Sequence, residues 1–284
     1  MISAQWIRQQ ALAVGFDDCG VALADRLDDD AAFMEQWVAQ GLHGNMSYLE
    51  RNREKRYDPR ELVPGATAVV VCVLRYDKCR RDYHRTIKSM LYELDARLQS
   101  SPTLPAVSTT PSDPSAPSAT APSTPSASPS SSDNDSSLPS PAQALSPLPQ
   151  HLFCDSAPFL ERRWAVKAGL GFIGRNHQFF HHTLGSMVHL GEIVIDKAIE
   201  GIEEGETRIS RISRISRTTI NATPPTADTP SRFADTPCAD CHLCEEACPT
   251  GALRNPVWDA TRCIAYTTHR CLICQQACPQ NSNH

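Results

Sequence analysis

The sequence predicts an α+β fold, in which a mixed α/β body carries a small cysteine-rich domain toward its C-terminal end. Three observations predict it. The run "TAVVVCVLRY", Thr67 to Tyr76, is β-branched and almost continuously apolar, the pattern of a strand buried on both faces. "DYHRTIKSMLYELDARLQS", Asp82 to Ser100, repeats its apolar residues at helical intervals. Eight of the twelve cysteines crowd between Cys238 and Cys278.

The elements follow in order. "SAQWIRQQALAVG" has helical spacing and ends at Gly15, a residue suited to the left-handed turn after a helix. "DDCGVALA" gives a short strand, and the stretch from Asp28 to Ala66 gives helices broken at glycines and at Pro59. The Val-rich strand and the amphipathic helix complete the first part, residues 1–99. Residues 100–150 are almost entirely Ser, Pro, Thr and Ala, with no aromatic residue. Such a segment buries too little apolar surface to offset its ordering entropy, so disorder is expected. Residues 151–200 return to a folded pattern: a helix in "FLERRWAVKA", a glycine-rich turn, and a strand in "SMVHLGEIVI". A second low-complexity insert, 201–235, contains the repeat "RISRISRISR". The two inserts interrupt one domain, and the cysteine-rich domain occupies 236–284.

Composition narrows the function classes. A net charge of −5 excludes the global electrostatic signature of a nucleic-acid binder, leaving only local patches. The longest apolar run, Ala68 to Leu74, is too short to span a bilayer, and the N-terminus lacks the order of a secretory signal. A soluble cytoplasmic protein is expected, and in that compartment cysteines stay reduced. Cys72, inside the apolar strand, is expected to act as a small hydrophobe.

The cysteine block is spaced Cys238-x₂-Cys241-x₂-Cys244-x₃-Cys248-Pro249, then Cys263, then Cys271-x₂-Cys274-x₃-Cys278-Pro279. Three thiolates at intervals of three residues wrap one [4Fe–4S] cluster, and in two-cluster ferredoxins the fourth, before proline, reaches the other cluster. One cluster then takes Cys238, Cys241, Cys244 and Cys278; the other takes Cys248, Cys263, Cys271 and Cys274. Zinc is the alternative, but its sites use two cysteine pairs, and a third cysteine at the same interval has no ligand role there. Only seven residues separate Cys263 from Cys271, so "IAYTTHR" is expected to close the second site without a helix and under strain. "GLGFIG" satisfies G-x-G-x-x-G at Gly169, Gly171 and Gly174, but a helix precedes it where a dinucleotide fingerprint needs a strand. A tight turn with close backbone approach is the better reading.

The stretches "GNMSYLERNREKRYDPRELVPGA", "RDYH", "DSAPFLERRWAVKAGLGFIGRN", "CADCHLCEEACPTGAL" and "RCIAYTT" occur in this order. In that order and content the chain resembles the epoxyqueuosine reductases, tRNA-modifying relatives of the reductive dehalogenases. The resemblance covers nearly everything outside the two inserts. It implies an N-terminal α/β cobalamin-binding domain of reductive-dehalogenase type and a C-terminal ferredoxin-like domain with two [4Fe–4S] clusters. It implies reduction of epoxyqueuosine to queuosine at the wobble position of tRNA, the last step of queuosine synthesis, with loss of water and consumption of two electrons. The expected partners are the epoxyqueuosine-carrying tRNA and an external electron donor, with no membrane, for a monomer.

Residue by residue, Asp155 in "CDSAP" matches the family's proton donor and also lies beside cobalamin; its bland alternative is a helix N-cap before "SAPFLERR". Arg56 in "EKRYDP", Asn176 in "GRN", Leu190 in "VHLGE" and Ala265 after Cys263 match positions lining cobalamin. For Arg56 the alternative is a solvated arginine on a charged loop. Arg175 and "RNREKR" are candidates for tRNA phosphate contact. Departures from the family are shortened connections before "RDYH" and after "CIAYTT", and the two inserts. Alternative functions are a ferredoxin-type electron carrier, an inactive family member, or a corrinoid reductase acting on another substrate.

Overall fold

In a computed structural model, residues 2–79, 82–100, 151–202, 233, 236–254, 257–268 and 270–281 are described. The Ser/Pro tract from 101 to 150 and the Arg-Ile-Ser repeat lie outside these residues.

Strand β1 (Ile2–Ser3) leads into helix α1 (Ala4–Val14), whose start is capped by the Ser3 hydroxyl accepting from the Trp6 amide. Gly15 ends it with φ +116°, and the Gly15 amide donates back to Ala11 and Leu12. Strand β2 (Asp18–Leu23) and helix α2 (Asp28–Ala39) follow, with three aspartates in the first turn of α2 opposing the helix dipole. A short helix α3 (Arg53–Tyr57) precedes β3 (Ala68–Arg75). Helix α4 (Tyr83–Gln99), capped by Asp82, closes the first part.

After the tract come β4 (Leu152–Phe153), α5 (Glu161–Lys167), β5 (Gly171–Ile173), β6 (Phe179–His181) and β7 (Val188–Ile195). The main sheet has the order β2-β3-β7-β4 and is antiparallel throughout. Every residue of β3 from Ala68 to Leu74 is buried, as expected of a central strand with both faces covered. Val70, Cys72, Ile193 and Ile195 face α1 and α4, packing on Ile7, Ile87, Leu91 and Leu94. Val69, Val71, Val73 and Val194 face α5 and pack on Trp164, Ala165 and Phe159. Cys72 is fully buried, as expected of an inert small side chain, with its thiol 3.9 Å from that of Cys19 on the paired strand.

α4 lies so close to the sheet that a Cβ on Gly191 would meet Ile87 at 2.6 Å. The glycine-rich stretch is no dinucleotide loop. It forms a hairpin, β5 against β6, where a Cβ on Gly171 would lie 1.9 Å from the Phe180 carbonyl oxygen. Phe172 and Phe180 of this hairpin stack at 5.4 Å and carry the first of the cysteines.

Candidate functional site

The cysteine-rich segment is fastened to the body at several points. Buried Arg175, just after the hairpin strand β5, donates from Nε to the Cys238 carbonyl at 2.7 Å and from a terminal nitrogen to the Ala239 carbonyl at 2.8 Å. Its guanidinium also lies over the Phe233 ring, 5.1 Å from the centroid, and 3.4 Å from Glu245. Asn281 accepts from the Ser186 amide and hydroxyl, each at 3.0 Å. On the other side Trp37 of α2 stacks on Trp258 at 5.8 Å and donates to its carbonyl. The Tyr266 hydroxyl accepts from the Asn45 amide at 3.0 Å.

Between these fastenings lies a cleft of about 510 Å³. Phe33, Met34 and Trp37 of α2, with Met46, Leu49, Phe159 and Ile173, make its apolar wall. Glu161, Arg162 and Asn176 bring polar atoms from the body, and Cys248, Cys263, Cys271 and Cys274 line the opposite wall with Ala265. Such a large apolar hollow with few convergent polar groups is the usual form of a cofactor or substrate site. Asn176 is 4% exposed; its Oδ1 accepts from the Gln178 amide, while its Nδ2 is buried with no partner. An orphaned amide donor in a cleft wall suits a ligand with carbonyl acceptors.

All eight clustered cysteines are free thiols. Cys238 and Cys278, far apart in sequence, pack in one apolar cluster with Phe172, Phe180 and Phe233. Burial raises the Cys278 thiol, and the charges that raise it further are those of Cys238 and Cys241. Burial lifts Cys244 to about 12, with Glu245, Cys238, Cys278 and Cys274 adding to it. Cys274 is raised by burial and then by Cys263, Cys271 and Cys248. The cysteines that raise Cys278 and Cys274 come from the four expected to share a cluster with each, while Cys244 is also raised by Cys274 of the other four. The grouping is electrostatic: among the described residues no three His, Cys, Asp or Glu side chains converge tightly enough to form a metal site. Cys248 runs the other way, because hydrogen bonds from Thr250 and from the amides of Ala252 and Leu253 outweigh its burial and lower it.

The expected absence of a helix between Cys263 and Cys271 does not hold. Ile264–Thr268 forms one helical turn, with Thr267 and Thr268 hydroxyls donating to the Ile264 carbonyl. Nor is there backbone strain in the described part of that span, since the non-glycine residues with positive φ are Asn52, Asp155 and His177. A single turn is short enough to fit inside seven residues.

Asp155 sits in the loop before α5, exposed, with φ +49°. It is not the cap of α5: that helix begins at Glu161, and the cap position is Leu160. Its Oδ2 instead accepts a 2.7 Å hydrogen bond from Tyr83 of α4, and its amide donates at 2.6 Å to Glu161 Oε1. Tyr83 belongs to a column of stacked rings, with His189 at 4.0 Å and His84 at 3.9 Å, and Tyr76 lies on His189 at 4.1 Å. Burial and the negative Asp155 both push the Tyr83 hydroxyl up. Behind the loop, Glu192 of β7 is 0% exposed with neither carboxyl oxygen partnered; burial, then Glu161 and Asp155, raise it well above the carboxylate range.

Of the residues expected to line cobalamin, Asn176 and Ala265 meet in the cleft. Leu190 lies on β7 opposite Val73, packed against the sheet core outside the cleft lining. Arg56 is neither in the cleft lining nor solvated: it is 4% exposed and donates to the carbonyls of Tyr48, Leu49 and Arg51. It therefore shapes the loop whose Tyr48 and Leu49 line the cleft. Arg175 is 3% exposed and committed to the cysteine loop, which removes it as a phosphate contact. Within "RNREKR", Arg53 pairs with Glu35, while Arg51 and Lys55 are exposed. Sequence reasoning missed Glu161 and Arg162, and missed that Phe33, Met34 and Trp37 of α2 form a cleft wall. The only signal for the wall was an apolar group at helical spacing, which looks the same as core.

No protein-family model matches the chain. It is 27% identical over 97% of its length to the epoxyqueuosine reductase of Leadbetterella byssophila, covering 79% of that protein. It is 28% identical over 98% of its length to the epoxyqueuosine reductase of Cyclobacterium marinum, covering 78% of it. Among solved structures, an epoxyqueuosine reductase with an epoxyqueuosine-modified tRNA-Tyr stem loop superposes with a TM-score of 0.61 at 20% identity. That match covers 98% of this chain and 64% of the solved one, so the chain spans just under two thirds of that structure. The fold is thus that of the epoxyqueuosine reductases, and the sequence resembles theirs almost end to end.

Proposed function

We propose that this chain is an oxidoreductase that reduces epoxyqueuosine to queuosine in tRNA. The observation that carries the reading is the cleft itself, which joins the wall of four cysteines to Phe159, Leu160 and Glu161, on the segment that follows Asp155 (itself outside the lining), in a chain similar to epoxyqueuosine reductases. Cys238, Cys241, Cys244 and Cys278 would hold one [4Fe–4S] cluster, and Cys248, Cys263, Cys271 and Cys274 the other. The free thiols, their two-set grouping and the packing of Cys238 against Cys278 support this donor set. Cobalamin fits the cleft by its apolar walls and the orphaned Asn176 amide, with Ala265 opposite and Arg56 acting from behind through the Tyr48–Arg51 loop.

When bound, the clusters and the corrinoid supply the two electrons that cleave the epoxide. The chain's own residues do the rest. The apolar wall of Phe33, Met34 and Trp37 excludes water from the reacting face. Asp155 hands a proton to the departing oxygen, held for that purpose between Tyr83 and Glu161. Arg51 and Lys55, exposed beside the cleft loop, suit contacts to tRNA phosphates, which position the substrate without reading its sequence. The proposed enzyme is a cytoplasmic monomer fed by an external electron donor; no described helix is long and apolar enough to cross a membrane.

The test is anaerobic reconstitution with iron, sulfide and cobalamin, followed by incubation with epoxyqueuosine-containing tRNA and a strong reductant. Nucleoside mass spectrometry should then find queuosine. A fully metallated sample that yields none would overturn the proposal for this chain. Equilibrium dialysis separates the alternative of a simple electron carrier, which would show cluster spectra and bind no cobalamin.

A further inference from the structure

We infer that the stacked rings beside Asp155 are a platform for an unpaired nucleobase, taken up on the outer face of Tyr76. The inference rests on the reading of tRNA as substrate and deepens it, by naming where a loop base next to the modified nucleoside lies.

Three separate elements build the platform. Tyr76 opens the turn after β3, Tyr83 and His84 begin α4, and His189 stands on β7 opposite Leu74. The rings run in the order Tyr76, His189, Tyr83, His84, with successive centroids 4.1, 4.0 and 3.9 Å apart and planes within 28° of parallel. Stacked side-chain rings usually lie about 4.5–7 Å apart. These steps are closer to the ~3.4 Å rise between stacked bases. The column is not core. Tyr76 packs in neither of the clusters that flank the main sheet and is 42% exposed, as is the His84 side chain at the other end. His189 covers one face of the Tyr76 ring, which leaves the outward face for a ligand.

The Tyr76 end suits a nucleotide better than the His84 end. At His84 the Asp82 carboxylate lies 3.2 Å from the ring, where it repels phosphate. At Tyr76 the charges of Arg162 and Asp155 both reach the hydroxyl. Arg162 is exposed and lines the cleft, and it spends one N–H on the His177 carbonyl at 2.8 Å. Arg75 and Lys78, exposed beside Tyr76, are already paired with Asp17 and Asp77. A flat ring for the base and a guanidinium for its phosphate are what a single-stranded nucleotide needs, whereas a paired base has no free face to offer. A base on Tyr76 extends the column by one ring and anchors the loop while its neighbour meets Asp155.

The test uses the full chain and a tRNA anticodon stem–loop in which 2-aminopurine replaces the base on one or the other side of the wobble position. Binding to wild type should change the fluorescence of at least one of the two probes. Tyr76→Ala should abolish that change and raise the Kd about tenfold. Tyr76→Phe keeps the flat face and should bind as wild type does. Tyr76→Leu keeps the bulk without the face and should behave as Tyr76→Ala, so it carries the test if the alanine variant fails to fold. No fluorescence change from either probe, an unchanged Kd on loss of the ring, or a loss shared by Tyr76→Phe overturns the platform and leaves the column as a brace for Tyr83. Queuosine formed by Tyr76→Ala at wild-type KM also overturns it, with the proposed activity intact. Queuosine absent from wild type while the Tyr76 dependence holds would instead sink the activity and leave the platform standing.

Discussion

The Tyr83 hydroxyl donates a 2.7 Å hydrogen bond to Asp155 Oδ2 across 72 residues of sequence, joining α4 to the loop before α5. The bond ties "RDYH" to "DSAP", two stretches with no local reason to meet. Tyr83→Phe should retain clusters and cobalamin, cost about 1 kcal/mol of stability, and reduce turnover by about tenfold. Asp155→Asn keeps the same bond through its amide oxygen and should lose turnover almost entirely. Urea unfolding and single-turnover queuosine formation check both; normal turnover in Asp155→Asn would return Asp155 to a structural role.

Arg175 predicts a different defect. Its buried guanidinium holds the carbonyls of Cys238 and Ala239, so Arg175→Ala leaves those acceptors without their donor and Glu245 with His242 alone. Removing one partner of a buried charged pair costs about 3–5 kcal/mol. Iron content should fall toward half as the Cys238 loop loses its anchor, while cobalamin binding at Asn176 persists. Iron and sulfide analysis alongside equilibrium dialysis would read the two effects separately.

Cysteine substitution should sort by set rather than by sequence position. Cys278→Ser is expected to disturb the cluster proposed for Cys238, Cys241 and Cys244, although its sequence neighbour Cys274 is proposed for the other. Electron paramagnetic resonance of the reduced Cys278→Ser and Cys274→Ser proteins should each lose a different one of two signals. Loss of the same signal in both would refute the crossed arrangement.

Acid stability carries a sign. Asp18 is pushed up by burial, but His181, Arg8 and the Cys19 amide outweigh this and hold its carboxyl well below the usual range. The native state therefore binds fewer protons than the unfolded chain there, and stability is lost as pH falls from about 4 through the folded value. Asp18→Asn should be less stable than wild type by about 1–3 kcal/mol at pH 7, with the gap closing toward pH 2.

Glu192 has the opposite sign. Burial raises its folded pKa, so the native state holds a proton that the unfolded chain releases above about 4.5. Stability should fall with rising pH by about 1.4 kcal/mol per unit for each such proton. Glu192→Gln, with no proton to lose, should flatten that slope in a series of denaturant titrations.

The elements were legible because their causes are local. α1 could be read to Gly15 from apolar spacing and a glycine that accepts a left-handed φ, and β3 from its β-branched run. The two sets of cysteines are an expectation from spacing, because ligand reach along a short loop is a chain-length property. The exclusion of a dinucleotide loop was likewise legible, since a helix stands before Gly169. What failed were positions whose role depends on distant chain. Arg175 looked like a surface cation, and the cap that was the bland alternative for Asp155 is not formed, because sequence cannot say that Cys238 or Tyr83 will arrive beside them.

By itself, then, the sequence determined the strands and helices and the resemblance that names a reaction, which rest on patterns within a few turns of chain. Only the tertiary structure decided that Phe33, Met34 and Trp37 face a cleft instead of a core, that Arg56 works through backbone carbonyls, and that Glu161 and Glu192 crowd Asp155. Burial and charge proximity are set by which elements pack together, and they convert ordinary carboxyls into acids that hold their protons near neutrality.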